Sequence, residues 1–158
     1  MKLKLTNELA ELIGFWKLRR TRQSVGVFGD LEAQQKFANM VLKQRLVPPE
    51  KIVGDERAIW FSHHKIKTFF LDVLKDQNEL FGRKNNLSAA FLRGLYLSDG
   101  EGSFIRNATF KDRLLIEHLG FYTKQRNKDL YIRNIENFLK FIKFKPEKSG
   151  KQSENIRK

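Results

Sequence analysis

The chain has 158 residues, of which 31 are lysine or arginine and 18 are aspartate or glutamate, so its formal net charge is +13. Such an excess of positive charge attracts polyanions and favours nucleic acid as the partner. The absence of cysteine excludes disulfides, thiolate zinc sites and cysteine nucleophiles. No apolar run reaches the roughly 18 residues that span a bilayer, so we expect no membrane partner. The N-terminus lacks the pattern of a secretory signal, and we expect a cytoplasmic location.

The first half of the chain predicts three helices and three short strands. Apolar residues recur at helical spacing over residues 6–18, 31–45 and 64–75. Strands are expected at residues 24–28, 52–53 and 58–61. The last two strands are joined by a Gly-Asp turn and are expected to form a hairpin. Trp60 lies on the opposite side of its strand from Ile59 and Phe61, where its ring could stack on a base or cover the core, and we expect it to cover the core.

The second half repeats this pattern after a polar segment that we interpret as a linker. Helices are expected at residues 88–98, 111–119 and 135–143. Extended segments are expected at residues 103–110, 121–126 and 130–133. The predicted organisation is a first repeat, a linker, a second repeat and a basic flexible tail, at residues 1–77, 78–87, 88–145 and 146–158.

The two halves show weak internal similarity. Aligning Gly14 with Gly94 also aligns Trp16 with Tyr96, and the closing helices align where residues 66–70 meet residues 135–139. Agreement at two separate places along the chain favours an internal repeat.

The most informative segment is Phe-Leu-Arg-Gly-Leu-Tyr-Leu-Ser-Asp-Gly at residues 91–100, followed by Glu-Gly-Ser-Phe. A glycine within a helix costs about 1 kcal/mol relative to alanine. Gly94 therefore predicts that another backbone approaches this helix closely. Asp99 stands where the helix ends, a position suited to binding a cation.

This segment resembles the signature helix of the LAGLIDADG homing endonucleases. The apolar, glycine and acidic positions of that motif correspond to Leu92, Gly94, Leu95, Asp99 and Gly100. The resemblance implies an α+β fold, in which two pseudo-symmetric αββαββα-type repeats surround a pair of such helices. Both halves are short for the full unit, so we expect shortened hairpins, with most of one hairpin missing from each half. It also implies a monomer with an internal pseudo-dimer.

The resemblance implies metal-dependent cleavage of double-stranded DNA, with Asp99 as the catalytic and Mg²⁺-binding acid. Gly14, Gly94 and Gly100 would be the helix-packing glycines. In the first half the acidic position is occupied by Arg19, and Arg20 stands where a glycine is expected. A guanidinium stays protonated and repels a metal ion, although it can bind a phosphate directly. We therefore expect weakened or abolished cleavage, with one metal site at most.

Strand alternation predicts a basic and aromatic face in the second half. Tyr122, Lys124 and Arg126 share one side of a strand, and Tyr131 and Arg133 share one side of its partner. The residues expected to contact nucleic acid are Arg19, Arg20, Arg22, Lys124, Arg126 and Arg133.

Several other functions agree with the same residues. A dimer joined through two copies of the signature helix would bring two Asp99 side chains together and form an active endonuclease. The chain would otherwise be a catalytically inactive regulator, an RNA-binding protein that acts like an intron maturase, or a basic structural protein of the ribosomal type. Duplex DNA and structured RNA both remain candidate partners.

Overall fold

A computed structural model describes residues 2–22 and 24–145, and its first half contains three helices around a small sheet. In chain order these elements are α1 (Asn7–Lys17), β1 (Val25–Phe28), α2 (Leu31–Lys43), a 3₁₀ turn (Pro49–Lys51), β2 (Val53–Gly54), β3 (Ala58–Phe61) and α3 (His64–Lys75). The second half follows a short helix, α4 (Gln77–Leu80), which begins at the last residue of the predicted first repeat and extends into the segment expected to be a linker.

The second half contains a complete set of αββαββα elements. They are α5 (Asn86–Asp99), β4 (Gly100–Glu101), β5 (Phe104–Arg106), α6 (Phe110–His118), β6 (Thr123–Arg126), β7 (Asp129–Ile132) and α7 (Ile135–Phe141). The expectation that this half lacks most of one hairpin was wrong, because β4 and β5 form that hairpin as two very short strands. The predicted tail, 146–158, lies outside the described residues.

The two sheets have the same topology. The strand order is β1-β3-β2 in the first sheet and β4-β5-β7-β6 in the second, with antiparallel neighbours throughout. Arg20 forms an isolated antiparallel bridge with Val27 of β1, at the place that β4 occupies in the second sheet. The first repeat thus retains one bridge of its first hairpin, which confirms the expected shortening of this half.

Side-chain caps set where the helices begin. The Thr6 hydroxyl caps α1 and the Asp30 carboxylate caps α2. Asn85 and Ser88 form a capping box, so α5 begins at Asn86 rather than at residue 88. Thr109 caps α6 in the same way, and this cap ends the extended segment that was expected to run to residue 110.

The core is centred on α1 and α5, which share the most extensive contact between elements among the described residues. Leu12, Ile13 and Phe15 of α1 are fully buried, as are Phe91 and Leu92 of α5. Burying such side chains supplies most of the free energy that stabilises a domain of this size. None of the helices in the described part of the chain is both long and apolar enough to cross a membrane.

Trp60 does not cover the core, contrary to the prediction. It is paired with Gly26 of β1 and Val53 of β2, whereas its neighbour Phe61 faces inward and is fully buried. Residues paired across antiparallel strands point to the same face. Trp60 therefore lies on the outer face of the first sheet, where it is partly exposed.

Candidate functional site

The two glycine-containing helices pack at the closest distance that backbones allow. A Cβ atom on Gly14 would overlap the carbonyl oxygen of Phe91 and would lie 3.2 Å from the backbone nitrogen of Leu95. A Cβ atom on Gly94 would overlap the carbonyl oxygen of Glu11 and would lie 2.8 Å from the backbone nitrogen of Phe15. The contact is reciprocal, as a pseudo-two-fold axis between α1 and α5 requires. It brings the C-terminal ends of both helices together.

At these ends Arg19 reaches across from the first repeat to the second. Its Nε donates a hydrogen bond to the carbonyl oxygen of Ser98 at 2.7 Å, and its Nη1 donates to the carbonyl oxygen of Phe28 at 3.2 Å. Its Nη2 lies 3.7 Å from Oδ1 of Asp99. The guanidinium therefore satisfies a terminal carbonyl of α5 and places its positive charge at the negative end of that helix.

Asp99 is partly accessible, with 14% of its side chain exposed. Its Oδ2 accepts a hydrogen bond from Nδ2 of Asn107 at 3.1 Å. The turn after Asp99 is held by Tyr96, whose hydroxyl donates to the carbonyl oxygen of Gly102 at 2.8 Å. Burial raises the pKa of Tyr96, which keeps this donor protonated. A Cβ atom on Gly100 would overlap the Tyr96 ring, which explains the glycine at this position.

Comparison with known proteins shows which fold this is. Neither protein-family profiles nor curated protein sequences match the chain. Among solved structures, a variant of I-DmoI in complex with its target DNA in the presence of Mg has a TM-score of 0.62 and 18% identity, covering 87% of this chain and 94% of that one. Another I-DmoI variant, in complex with its target DNA in the presence of Mn, has a TM-score of 0.61 and 16% identity. That alignment covers 89% of this chain and 94% of that one. A structure of mesophilic variants of the homing endonuclease I-DmoI has a TM-score of 0.58 and 18% identity. That alignment covers 86% of this chain and 94% of that one.

The chain has the homing-endonuclease fold. The expected α+β architecture and the resemblance to LAGLIDADG homing endonucleases are thereby confirmed. Within this fold, Asp99 and Arg19 occupy the tips of the two paired helices. The family resemblance assigned an acid to each tip, and the geometry here brings one acid and one guanidinium together.

The residues at the helix tips do not fit a metal centre built from paired acids. Magnesium is bound in proteins by carboxylate oxygens and water in near-octahedral geometry. Here one carboxylate faces a guanidinium at 3.7 Å. Within residues 2–22 and 24–145, no group of three or more aspartate, glutamate, histidine or cysteine residues could hold a metal ion.

Beside the helix tips lies a buried polar cluster that the sequence did not reveal. Nζ of Lys17 donates to Oδ1 of Asp112 at 2.5 Å, to Oε1 of Gln77 at 2.6 Å and to the Thr109 hydroxyl at 3.2 Å. Asp112 is fully buried. Burial lowers the pKa of Lys17, although the neighbouring Asp112 carboxylate opposes that shift. The position aligned with Lys17 in α5 is the apolar Leu97, so no internal repeat pointed to this cluster.

The predicted basic face exists on the outer side of the second sheet. Lys124 is paired with Tyr131, and Tyr131 is paired with Phe104 on its other side, so all three share one face. The guanidinium of Arg126 lies 5.7 Å from the Tyr131 ring centroid. Arg106 lies 5.5 Å from the Phe104 ring and belongs to the same face. Arg106 was not among the predicted contact residues, although its alternation with the apolar Ile105 indicated an outward-facing side chain.

The basic residues predicted in the first half do not form a comparable face. Arg20 is exposed and its guanidinium lies 5.0 Å from the Trp16 ring centroid. Arg22 is also exposed, whereas Arg19 is turned toward Ser98. The outer face of the first sheet instead carries apolar side chains, those of Phe28, Val53 and Trp60. Arg133, in the second half, is exposed just after β7.

Proposed function

We propose that this protein binds double-stranded DNA along its sheet faces and cleaves it weakly or not at all. The observation that carries the second half of this proposal is Arg19, whose guanidinium lies beside Asp99 where a second carboxylate is needed. We also propose that residues 1–77 and 88–145 are the two repeats, joined by residues 78–87, and that the chain acts as a monomer.

Charge and surface chemistry support DNA as the partner. The net charge of +13 favours association with a polyanion. Lys124 and Arg126 project from the same sheet face as Tyr131, and Arg133 follows at its end. Cationic side chains on such a face contact phosphates and base edges. Proteins of the same fold, I-DmoI variants, form complexes with their target DNA.

The electrostatics at the helix tips support impaired cleavage. Hydrolysis assisted by two metal ions needs carboxylates that hold the ions beside the reacting phosphate. Arg19 supplies a fixed positive charge instead, because a guanidinium keeps its proton at any accessible pH. Asp99 is left as the single acid of the pair. Arg19 is suited to binding a DNA phosphate, because its charge and planar donors match phosphate oxygens.

Plasmid cleavage tests this proposal. Purified protein is incubated with supercoiled plasmid and Mg²⁺ or Mn²⁺, with Asp99→Asn as the matched variant, and duplex binding is measured in parallel. We expect duplex binding by both proteins, no linear product, and at most slow nicking that Asp99→Asn abolishes. Linear product that depends on Asp99 would contradict the proposal. Sedimentation of that active species would then show whether a dimer supplies the second acid.

Exposed aromatic side chains on the sheets favour a second candidate, binding of RNA with unpaired bases. Tyr122 is 73% exposed and Phe28 is 50% exposed, and Trp60 and Tyr131 are partly exposed. Flat faces of this kind stack on splayed bases in single-stranded RNA. Affinities for duplex DNA and structured RNA across a salt series decide between the two candidates. Tighter RNA binding that Trp60→Ala weakens would favour this second function.

A further inference from the structure

A cavity of about 390 Å³ lies beside the second sheet, at the end of β7. Its walls come from Lys84 in the segment before α5, the turn between α6 and β6, the turn before α7 and one side of α7. The lining residues on which the argument depends are Lys84, Phe121, Tyr122, Arg133, Asn137 and Lys140. None of these residues was placed in the helix-tip site.

The charge of this cavity has one sign. Three cationic side chains line it, those of Lys84, Arg133 and Lys140, and no carboxylate does. Within the described part of the chain, none of the three is in an ion pair. Like charges around one cavity repel each other, and a bound anion offsets that repulsion.

Lys84 is held at the cavity by aromatic rings. Its Nζ lies 5.0 Å from the ring centroid of Phe121 and 5.6 Å from that of Phe141. These two rings pack against each other at 5.7 Å, and Phe121 is buried. The cation–π contacts restrict the ammonium group to one region, which lowers the entropy cost of binding an anion there. The side-chain amides of Asn134 and Asn137 add hydrogen-bond donors to the same lining.

The cavity continues onto the outer face of the sheet. Tyr122 and Arg133 line it, and both also line a depression of about 500 Å³ that includes Lys124 and Tyr131. A polyanion lying across Lys124 and Tyr131 would therefore be next to the cavity, because Tyr122 and Arg133 border both depressions.

We infer that this cavity is a phosphate-binding site, and that it receives a backbone phosphate of the duplex that lies on the second sheet. The inference that this phosphate belongs to a DNA duplex rests on the proposed function. The phosphate chemistry rests only on the three cations, the aromatic wall and the amides. The site would extend the footprint on DNA beyond the sheet.

Inorganic phosphate tests the site without DNA. Backbone amide NMR shifts of Gly120, Asn134 and Asn137 are followed during a phosphate titration. We expect saturable shifts in the wild type and in the control Lys43→Gln/Lys51→Gln, which removes two exposed lysines of the first half. The same shifts are expected to vanish in Lys84→Gln/Lys140→Gln. Absence of saturable shifts in the wild type, or their persistence in Lys84→Gln/Lys140→Gln, would overturn the inference.

Duplex affinity measured over a salt series tests the source of the phosphate. Each phosphate contact adds about 0.9 to the slope of log K against log salt. Since the cavity receives one phosphate, we expect Lys84→Gln/Lys140→Gln to reduce that slope by about 0.9 relative to Lys43→Gln/Lys51→Gln. Equal slopes would overturn the duplex as the source. If the wild type binds no duplex, both the proposed function and the inference that the phosphate belongs to a duplex are wrong. The phosphate titration would still show whether the cavity binds phosphate.

Discussion

At the scale of single residues, the chemistry of the helix tips depends on Arg19. Its Nε and Nη1 donate hydrogen bonds to the carbonyl oxygens of Ser98 and Phe28, and its Nη2 forms an ion pair with Asp99, so it joins the ends of the two paired helices. A carboxylate at the same place would lose both carbonyl contacts and would face Asp99 as a like charge. Arg19 therefore links the two helix ends directly, whereas the family resemblance implied a metal-binding acid at this position.

Arg19→Asp is expected to restore a response to divalent metal. Two carboxylates at the helix tips repel each other, so the variant should melt at a lower temperature than the wild type in chelator. A cation that binds only the folded state raises its melting temperature. We expect Mg²⁺ to raise the melting temperature of Arg19→Asp and to leave that of the wild type and of Arg19→Asn unchanged. Identical responses from all three proteins would show that the helix tips do not govern metal binding.

Lys17→Met is expected to destabilise the protein by about 3 kcal/mol, because it leaves the buried carboxylate of Asp112 without its cation. Chemical denaturation measures the loss. Lys43→Met, at an exposed position of α2, is the control and should change stability by less than about 0.5 kcal/mol. The double variant Lys17→Met/Asp112→Asn should recover part of the loss, since it removes the uncompensated charge. Equal stability of Lys17→Met and the control would contradict this account.

At the scale of elements, the packing of α1 on α5 is the feature most sensitive to added volume. Replacing Gly94 by alanine raises helix propensity by about 1 kcal/mol. The new methyl group would however meet the carbonyl oxygen of Glu11 and the amide of Phe15, which are backbone atoms and cannot rotate away. The helices would have to separate, and overpacking of this kind costs about 1–3 kcal/mol.

We therefore expect Gly94→Ala to lower the free energy of unfolding by about 1 kcal/mol, because the cost of overpacking exceeds the gain in helix propensity. Gly14→Ala should behave in the same way, because its contact with Phe91 is the reciprocal one. Gly54→Ala is the control, since a Cβ there approaches no atom closer than 3.3 Å. Urea denaturation of the three variants measures the difference. Stabilisation by Gly94→Ala would show that the helices do not lie this close.

The contact between α6 and β6 predicts a pH dependence. The Thr123 hydroxyl donates to the carboxylate of Glu117 and lowers the pKa of that carboxyl from its ordinary value. A carboxyl whose pKa is lower in the folded state adds stability above the unfolded value, and that stability is lost as the pH falls through the folded value. Thr123→Val should therefore flatten the decline in stability between about pH 5 and pH 3, as measured by denaturation at each pH. An unchanged profile would contradict the assignment.

At the scale of the whole molecule, two repeats of one topology carry different outer faces. The second sheet presents Lys124 and Arg126 with Tyr131, whereas the first presents Phe28, Val53 and Trp60. The two sheets therefore present outer faces of different chemistry. Under the proposed function, we expect the DNA contacts of the first half to come from Arg20, which is bridged to β1, and from Arg22.

The pairing of both signature helices within one chain predicts a monomer. The glycine faces of α1 and α5 are already covered by each other, so no second copy is needed to bury them. Sedimentation equilibrium should give the mass of a single chain, in the wild type as in Asp99→Asn. A dimer would show that another surface, such as the apolar face around Trp60, holds two copies together.

Much of this architecture follows from local patterns. Gly94 predicted a close helix partner because a helix interior rarely contains glycine without such a cause, and the contact with Glu11 confirms it. Helix caps were harder to predict. Because Asn85 is the N-cap of α5, this helix begins at Asn86, two residues before the predicted start. Trp60 was misplaced because alternation defines two faces of a strand but does not say which one is buried. That choice depends on Val25 and Phe61, which meet only after β1 and β3 pair.

The amino-acid sequence by itself determined the helix with its terminal acid, the presence of Arg19 at the acidic position of the first half, and the excess of positive charge. Each of these is a property of neighbouring residues or of composition. Only the tertiary structure decided that Arg19 contacts Ser98 and Asp99, that Lys17 meets Asp112, and that Lys84 shares a cavity with Arg133 and Lys140. These residues are far apart along the chain. Their interaction energies arise only when the paired helices fix the distances between them.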